Sequence, residues 1–514
     1  MLVGRDASQS WSRVDRVVLG ALVVIVLLST AFLIHPWYEP RPDAAIYLST
    51  ARSVAAGHGI TYLESPAVVR PPGLPLLISP LMAGDSAPNF RHLNALIGLF
   101  GAAGVVLLFV YQRARVGWLL ALLGALSIWL NPGYQRLCNQ VMSDVPAIAL
   151  VLLCLLIERW ASRAPSTGRE VALGLAIGAS AMLRSSVALL VPAILVARLL
   201  QQVENRLAPW PSFWWRRTGL LIVTVVVIML PWSAYEQTHP PELPVDQTYL
   251  YSRSVGMWHV DPADQGSPRV PIRDLLRRPG KHITPILDVL GSRMQVRVGP
   301  GESTAEPAAR TGNVVVASLL LVGLFSSLWR RRSPMELFAL VSLAFSLFYF
   351  SFIDRLMLPV YVFAFVGSID SLRALLRRKM NERVATVATG ACLLLLIVVD
   401  FAPRAGWEQI RSEHEWYAEA MSKVRDALPP DARIASVRGM HHSVHLGRPV
   451  FNLRFGIVRA HSVEGAEAVI DHHHIDTVML SPAIPTDRAA IAYFRSRYGK
   501  PEPVGEMLIW RVRD

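Results

Sequence analysis

The sequence predicts a mainly α-helical protein that crosses a membrane many times and carries a small α/β domain outside it. Hydrophobic residues make up 52% of the 514 residues, charged residues only 17%, and the mean hydropathy is +0.36. Soluble domains of this total length need more charge to cover their surfaces. The apolar residues also gather in long blocks, and the composition changes at about residue 410.

The first apolar block, residues 17–34, contains no charged residue and is long enough for a membrane-spanning helix. It is longer than the apolar core of a signal peptide, and no small-residue cleavage site ends it. We therefore interpret it as an uncleaved anchor. About eleven spans are predicted in all, some of which need flanking residues to cross a bilayer. The blocks are 17–35, 93–110, 116–131, 145–158, 170–184, 186–200, 218–234, 312–329, 335–352, 356–370 and 384–402.

Arginines gather in the short loops on one side of these blocks. Cytoplasmic loops carry an excess of Lys and Arg, so this side and the N-terminus are predicted to be cytoplasmic. The predicted location is the bacterial inner membrane. The net charge of +13 then has a topological origin, and we expect no nucleic-acid partner. The external side holds a first loop at 37–92, a turn at 132–144, a loop at 236–311 and the C-terminal tail.

The tail predicts a small external domain, residues 403–514, that follows a membrane domain, residues 1–402. A helix at 414–428 and another near 463–472 alternate with strand-like runs, which indicates an α/β fold. Two histidine groups, His441, His442 and His445 and then residues 472–474, are interpreted as surface residues, because a metal site needs further converging ligands. The three cysteines fit neither a disulfide framework nor a zinc spacing.

The first external loop is the segment in which chemistry is expected. Residues 44–56 predict a helix along the membrane surface, with Asp43 at or near its N-cap. Gly57 and Gly59 would end this helix, and Arg70 opens a rigid Arg-Pro-Pro-Gly turn. Asp43 has two interpretations, a helix cap or a carboxylate at the depth of the lipid headgroups. The short external turn before the span at 145–158 holds a second acidic residue, Asp144, which either caps that span or serves a site.

Several motifs resemble membrane glycosyltransferases of the GT-C fold, most nearly the bacterial protein-mannosyltransferase-like and aminoarabinose-transferase-like families. Each motif is loose, but together they cover most of the chain in order. They are Asp43-x-x-x-Tyr47, Ala51-Arg52, Gly57-His58-Gly59, Arg70-Pro71-Pro72-Gly73-x-Pro75, Met142-Ser143-Asp144-Val145-Pro146, Arg184 at the end of a span, Arg355-x-x-x-Pro359 and His445-Leu446-Gly447-Arg448-Pro449.

The resemblance implies roles for individual residues. Asp43 would be the catalytic base, and Asp144 would assist it or hold the acceptor. Sugar transfer needs a carboxylate to take the acceptor proton and cations to stabilise the departing phosphate. Arg70 is the first candidate for that phosphate. The further substrate- or phosphate-binding candidates are Tyr47, His58, Arg184 and Arg355.

Three of these residues also have an alternative, purely structural role. His58 between two glycines fits a turn, Arg355 fits a local ion pair with Asp354, and Arg70 fits an interfacial arginine. A divalent metal is left open, with Asp43 and Asp144 as its ligands if there is one. Related proteins often have Asp-Glu in the first loop where this chain has Asp43-Ala44, and this difference weakens the case for a metal.

The leading hypothesis is an inverting glycosyltransferase that uses a polyprenyl-phosphate-linked sugar at the external face. Membrane lipids surround it, and its acceptor is a lipid, a glycan or a protein. The rival hypothesis is a transporter or flippase of lipid-linked glycans, in which Arg184 and Arg355 mark the substrate path. The sequence shows none of the internal symmetry that transporters often have.

Overall fold

A computed structural model describes residues 11–82, 88–204, 212–240, 258–260, 267–295, 307–349, 353–400, 407–453 and 463–513. They form two compact units. The first unit comprises residues 1–34, 94–235 and 270–404, and the second comprises 35–93, 236–269 and 405–514. The predicted boundary at residue 402 stays a prediction. Part of the predicted external loop at 236–311 lies outside the described residues.

Helices form most of the described chain. They are α1 (Arg13–Leu33), α2 (Pro42–Ala55), α3 (Gly73–Ile78), α4 (Phe90–Val116), α5 (Trp118–Trp129), α6 (Pro132–Cys138), α7 (Asp144–Arg163), α8 (Thr167–Leu183), α9 (Leu190–Glu204), α10 (Ser212–Thr238), α11 (Ile272–Gly291), α12 (Pro307–Arg331), α13 (Pro334–Phe348), α14 (Leu358–Leu376), α15 (Glu382–Asp400), α16 (Trp407–Ala427), α17 (Gly439–Leu446), α18 (Val463–His472) and α19 (Arg488–Tyr498). Short 3₁₀ turns lie at Ser79–Met82, Ser185–Leu189, Asp354–Met357 and Pro485–Asp487.

The strands are short and belong to the second unit. They are β1 (Thr61–Tyr62), β2 (Ser65–Pro66), β3 (Ile434–Ser436), β4 (Val450–Asn452), β5 (Thr477–Leu480), β6 (Glu502–Val504) and β7 (Met507–Arg511).

Each of the eleven predicted apolar blocks coincides with a helix of the first unit. Within the described residues, seven helices are long and apolar enough to span a membrane. These seven contain α1, α4, α7, α9, α10, α12 and α14. The other four blocks form α5, α8, α13 and α15, which have 12 to 19 residues. The chain is a multi-pass membrane protein.

Buried carboxylates neutralise several arginines at the ends of these helices. Asp15, in the first turn of α1, accepts a hydrogen bond of 2.6 Å from Arg113 at the end of α4. The pair is buried, and an unpaired charge there would be costly. Further pairs of this kind join Arg198 and Arg217 to Glu170, Arg115 to Glu336, and Arg331 to Asp370. Basic-residue counting identified the arginines but not their carboxylate partners.

The C-terminal part of the second unit contains a five-stranded mixed sheet with strand order β4-β3-β5-β7-β6. Strand β3 runs parallel to β4 and β5, whereas β7 pairs antiparallel with β5 and β6. Helix α16 packs its apolar side, including Met421 and Val424, into the core of this sheet. The predicted small α/β region is confirmed.

In the first histidine group, His442 and His445 are buried and His441 is half-buried, so the prediction that these residues lie at the surface is wrong. His442 is fully buried, and His445 stacks on Tyr417 at 5.5 Å between ring centroids. Aromatic rings remote in sequence, including Tyr38 and Phe90, also contact His445. These contacts supply an apolar environment that local sequence does not reveal. In the second group, His473 is buried while its two neighbours are exposed.

Candidate active site

The first loop positions Asp43 within a helix, because α2 begins at Pro42, one residue before it. Proline is favoured at this first position, since its missing N–H has no partner there in any helix. The N-cap residue is Arg41, and no side chain caps the helix. Asp43 is therefore in the first turn, where the helix dipole stabilises a carboxylate, and it is not the cap.

Asp43 pairs with Arg70, the arginine that the sequence analysis predicted to act beside it. The Arg70 Nη2 atom donates a hydrogen bond of 2.7 Å to Asp43 Oδ1. The side chains are 15% and 10% exposed, so water screens this pair only partly. A second nitrogen, Nη1, donates to the backbone carbonyl of Val69 at 3.2 Å. Charge-assisted bonds of this kind are the stronger ones, and this one fixes the direction of the carboxylate.

Tyr47 lies one helical turn after Asp43, on the same side of α2. It is buried and lines a small cavity of about 10 Å³ together with Arg70. Two further lining residues, Thr50 and Tyr62, are 2% and 3% exposed. Their hydroxyl groups accept and donate no hydrogen bond within the described chain. Such buried hydroxyls are unusual, and sequence reasoning did not identify them.

His58 belongs to the turn that ends α2. Gly57 and Gly59 on either side both have φ of +81°, a conformation that favours glycine. The His58 backbone N–H donates to the Ser53 carbonyl at 2.9 Å, and its side chain is exposed. It is not among the residues that line the cavity beside Arg70. Its substrate-binding role stays a prediction.

The second acidic residue, Asp144, is the first residue of α7 and is 4% exposed. Arg184, at the end of α8, lies opposite it, with 2.9 Å between Nη2 and Asp144 Oδ1. This contact is an ion pair without the alignment of a hydrogen bond. Arg184 also donates to the Ser143 hydroxyl at 3.0 Å and, through Nε, to the Ser186 hydroxyl at 3.2 Å. The arginine is thereby held against the 143–144 turn.

Arg355 reaches the same turn from the 3₁₀ segment that precedes α14. Its Nη1 atom lies 3.5 Å from the sulfur of Met142. The Asp354 carboxylate accepts the Arg355 backbone N–H at 2.7 Å. The structure therefore brings Arg184 and Arg355 to one short turn of the first unit, a convergence that their positions in the sequence did not predict.

Among the described residues, the two candidate metal ligands, Asp43 and Asp144, are each paired with an arginine. Within the described ranges, no group of three or more His, Cys, Asp and Glu side chains is placed to hold a metal ion. Asp43 pairs with Arg70 and Asp144 with Arg184. Each carboxylate is thus paired with an arginine. The guanidinium groups of these arginines are suited to binding a phosphate.

The protein is similar to known proteins in its structure. No protein-family model and no curated protein matches the sequence. ArnT from Cupriavidus metallidurans, bound to undecaprenyl phosphate, is similar with a TM-score of 0.59 and 12% identity over 96% of this chain and 97% of that one.

The archaeal oligosaccharyltransferase AglB from Archaeoglobus fulgidus, in complex with an inhibitory peptide and a dolichol-phosphate, is also similar. Its TM-score is 0.53 at 12% identity, over 91% of this chain and 70% of that one. At this identity the likeness shows the fold alone. The chain therefore has the GT-C fold of membrane glycosyltransferases, the fold that its sequence motifs predicted.

Proposed function

We propose that the protein is an integral-membrane glycosyltransferase that moves a sugar from a polyprenyl-phosphate carrier to an acceptor hydroxyl. The observation that carries the proposal is the 2.7 Å pair between Asp43 and Arg70 in the first loop of a GT-C fold. It provides a proton acceptor and a phosphate-binding cation in direct contact. ArnT and AglB, which share the fold, were solved with polyprenyl-type phosphates.

In the proposed reaction, Asp43 takes the proton of the acceptor hydroxyl as its oxygen attacks the anomeric carbon. The bond from that carbon to the phosphate oxygen breaks, and the electron pair leaves on the lipid phosphate. Because the nucleophile enters opposite the leaving group, the configuration at the anomeric carbon inverts. The reaction consumes no oxidant or reductant, and the proton remains on the carboxyl group.

The arginines stabilise the charge that grows on the leaving phosphate. Arg70 has five N–H donors, so it can orient Asp43 through Nη2 and present other N–H groups to a phosphate oxygen. Arg184 and Arg355 are proposed as further phosphate ligands, because both are held beside the 142–144 turn. Asp144 is the positioning residue for Arg184 in this proposal.

The proposed orientation places this chemistry at the external face of the bacterial inner membrane, with the N-terminus cytoplasmic. The donor enters sideways from the bilayer as a membrane lipid. The acceptor is a hydroxyl of a lipid, a glycan or a protein side chain, and the geometry favours none of the three.

The experiment that tests the proposal compares the glycolipids and glycans of cells carrying the wild type or Asp43→Asn. We expect one sugar linkage to disappear in the variant while the protein still accumulates in the membrane. Glu39→Gln is the matched control, because Glu39 is a buried carboxylate of the same segment that pairs with Arg41 at 3.2 Å. An unchanged set of linkages in Asp43→Asn would falsify the proposal. Movement of lipid-linked sugar between leaflets without any transfer would favour a flippase instead.

A further inference from the structure

An apolar groove of about 580 Å³ runs between three helices of the first unit. Helices α12, α14 and α15 form its walls. Its lining is largely aliphatic and aromatic, and includes Val316, Leu319, Val322, Phe365, Leu372 and Leu396. Leu319 and Val322 are 65% and 64% exposed on helix α12, which is long and apolar enough to span a membrane. The groove therefore opens toward the hydrocarbon, and its occupant is an apolar chain.

One end of the groove is cationic. Arg330 lines it near the end of α12, and Arg378 lines it just beyond α14. Arg330 donates to the Ser371 hydroxyl at 2.8 Å and shares the Asp370 carboxylate with Arg331. Two guanidinium groups thus share one carboxylate.

Arg378 adds a further positive charge at this end. Its side chain is exposed and forms no ion pair or hydrogen bond within the described ranges of the chain. The end of the groove therefore carries an excess of positive charge next to hydroxyl groups. Guanidinium groups of this kind bind phosphate oxygens.

This end is remote from the proposed donor phosphate site. Arg355 precedes α14 and Arg378 follows it, so the 19 residues of the helix, about 28 Å, separate the two arginines. A third lining arginine, Arg293, follows α11 and belongs to the opposite end of the groove. A polyprenyl phosphate whose phosphate lies near Arg355 cannot also place it at Arg378.

We propose that the groove is a binding site for an anionic phospholipid. Its acyl chain lies along the apolar lining, and its phosphate contacts Arg330 and Arg378. Basic pockets between membrane helices bind anionic headgroups through these interactions. The site is independent of the proposed glycosyltransferase activity, so either can fail without the other.

The chain supplies a natural reporter for this site, because Cys392 lines the groove and is exposed. The other two cysteines, Cys138 and Cys154, are buried. A bimane fluorophore attached to Cys392 of the full chain in detergent would be quenched by a nitroxide on a bound acyl chain. We expect nitroxide-labelled phosphatidylglycerol to quench at a lower concentration than equally labelled phosphatidylcholine. Each arginine that contacts the phosphate should contribute a factor of about five to this preference.

The preference should fall about fivefold in Arg378→Gln and persist in Arg377→Gln. Arg377 is the matched control, because it is an adjacent exposed arginine that pairs with Glu382 and does not line the groove. Equal quenching by both lipids in the wild type, or an unchanged preference in Arg378→Gln, overturns the proposal. Fluorescence recovery on adding undecaprenyl phosphate but not unlabelled phosphatidylglycerol also overturns it and assigns the groove to the donor chain.

Discussion

Arg70 donates a 2.7 Å hydrogen bond to Asp43, and the two residues are 27 positions apart in the sequence. The bond links the first turn of α2 to the Arg-Pro-Pro turn that precedes α3. Both side chains are mostly buried, so each charge depends on the other for its stability.

Removing one partner of this pair should therefore cost more than removing both charges. We expect Arg70→Ala to lower the free energy of unfolding by about 3 kcal/mol, because it leaves a mostly buried carboxylate unpaired. The double variant Asp43→Asn with Arg70→Gln should recover most of that loss and still be inactive. Thermal unfolding in detergent measures the stability of the variants, and a transfer assay measures their activity. Equal stability of the single and double variants would mean that the pair is not coupled.

Loss of the Arg184 guanidinium should impair transfer. If Arg184 binds the donor phosphate as proposed, we expect Arg184→Gln to reduce the transfer rate at least about tenfold, because the phosphate would lose a cation and the 143–144 turn loses two contacts. Arg169→Gln is the control, since Arg169 is half-buried on the same helix and lies over the Trp160 ring at 4.3 Å. Initial rates at saturating donor measure the effect. Wild-type rates in Arg184→Gln would exclude Arg184 from the site.

The buried histidines make stability depend on pH. Burial lowers the pKa of His441 to about 4 and that of His442 to about 3, with Arg438 contributing to both shifts. His441 also faces Arg41, and the pKa of His445 is lowered by burial and by His414. The unfolded chain, with histidine pKa near 6.5, binds more protons below that pH than the folded chain does. Stability is therefore full above about pH 6.5 and falls as the pH drops toward 4.

Between pH 7.5 and pH 5, the free energy of unfolding should fall by about 2 kcal/mol for each such histidine. The melting temperature should decrease accordingly. His442→Leu should flatten this dependence without loss of stability at pH 8, because neither ring nitrogen has a hydrogen-bond partner within the described chain. His58→Gln is the control, since His58 is exposed. Tryptophan fluorescence during heating gives the curves. A pH dependence that is identical in His442→Leu contradicts the explanation.

The cavity beside Arg70 gives a prediction about substrate contact. Tyr62→Phe removes a hydroxyl that is buried and has no hydrogen-bond partner in the described part of the second unit. We expect the melting temperature to stay the same or rise, while KM for one substrate rises several-fold at unchanged kcat. Steady-state kinetics and unfolding curves test this. A lower melting temperature with unchanged KM would show that the hydroxyl is structural.

The candidate site residues could be selected from the sequence because they stand in local motifs. Each apolar block predicted a helix, since membrane spans are defined by their own composition. Asp43 and Arg70 were identified separately, from a helix start and a proline turn. Their direct hydrogen bond depends on the chain between them, including the β1–β2 hairpin, and local patterns do not encode that closure.

Other features could not be predicted because their partners lie far away in the sequence. The sequence leaves Arg355 either as a phosphate ligand or in an ion pair with its neighbour Asp354, and it does not predict the contact of its guanidinium with Met142, 213 residues earlier. The sequence indicates surface positions for the histidines near residue 442, because it shows no further ligands that would converge with them on a metal. Their burial depends on aromatic residues such as Tyr38 and Tyr417, which other segments supply.

The most direct test of the central claim is the turnover of purified Asp43→Asn with the lipid-linked sugar and acceptor identified by the glycan comparison. Loss of the general base predicts a rate at least about 10²-fold below that of the wild type, with unchanged donor binding. Glu39→Gln should retain the wild-type rate. Turnover of Asp43→Asn within a few-fold of the wild type would contradict the assignment of Asp43 as the base.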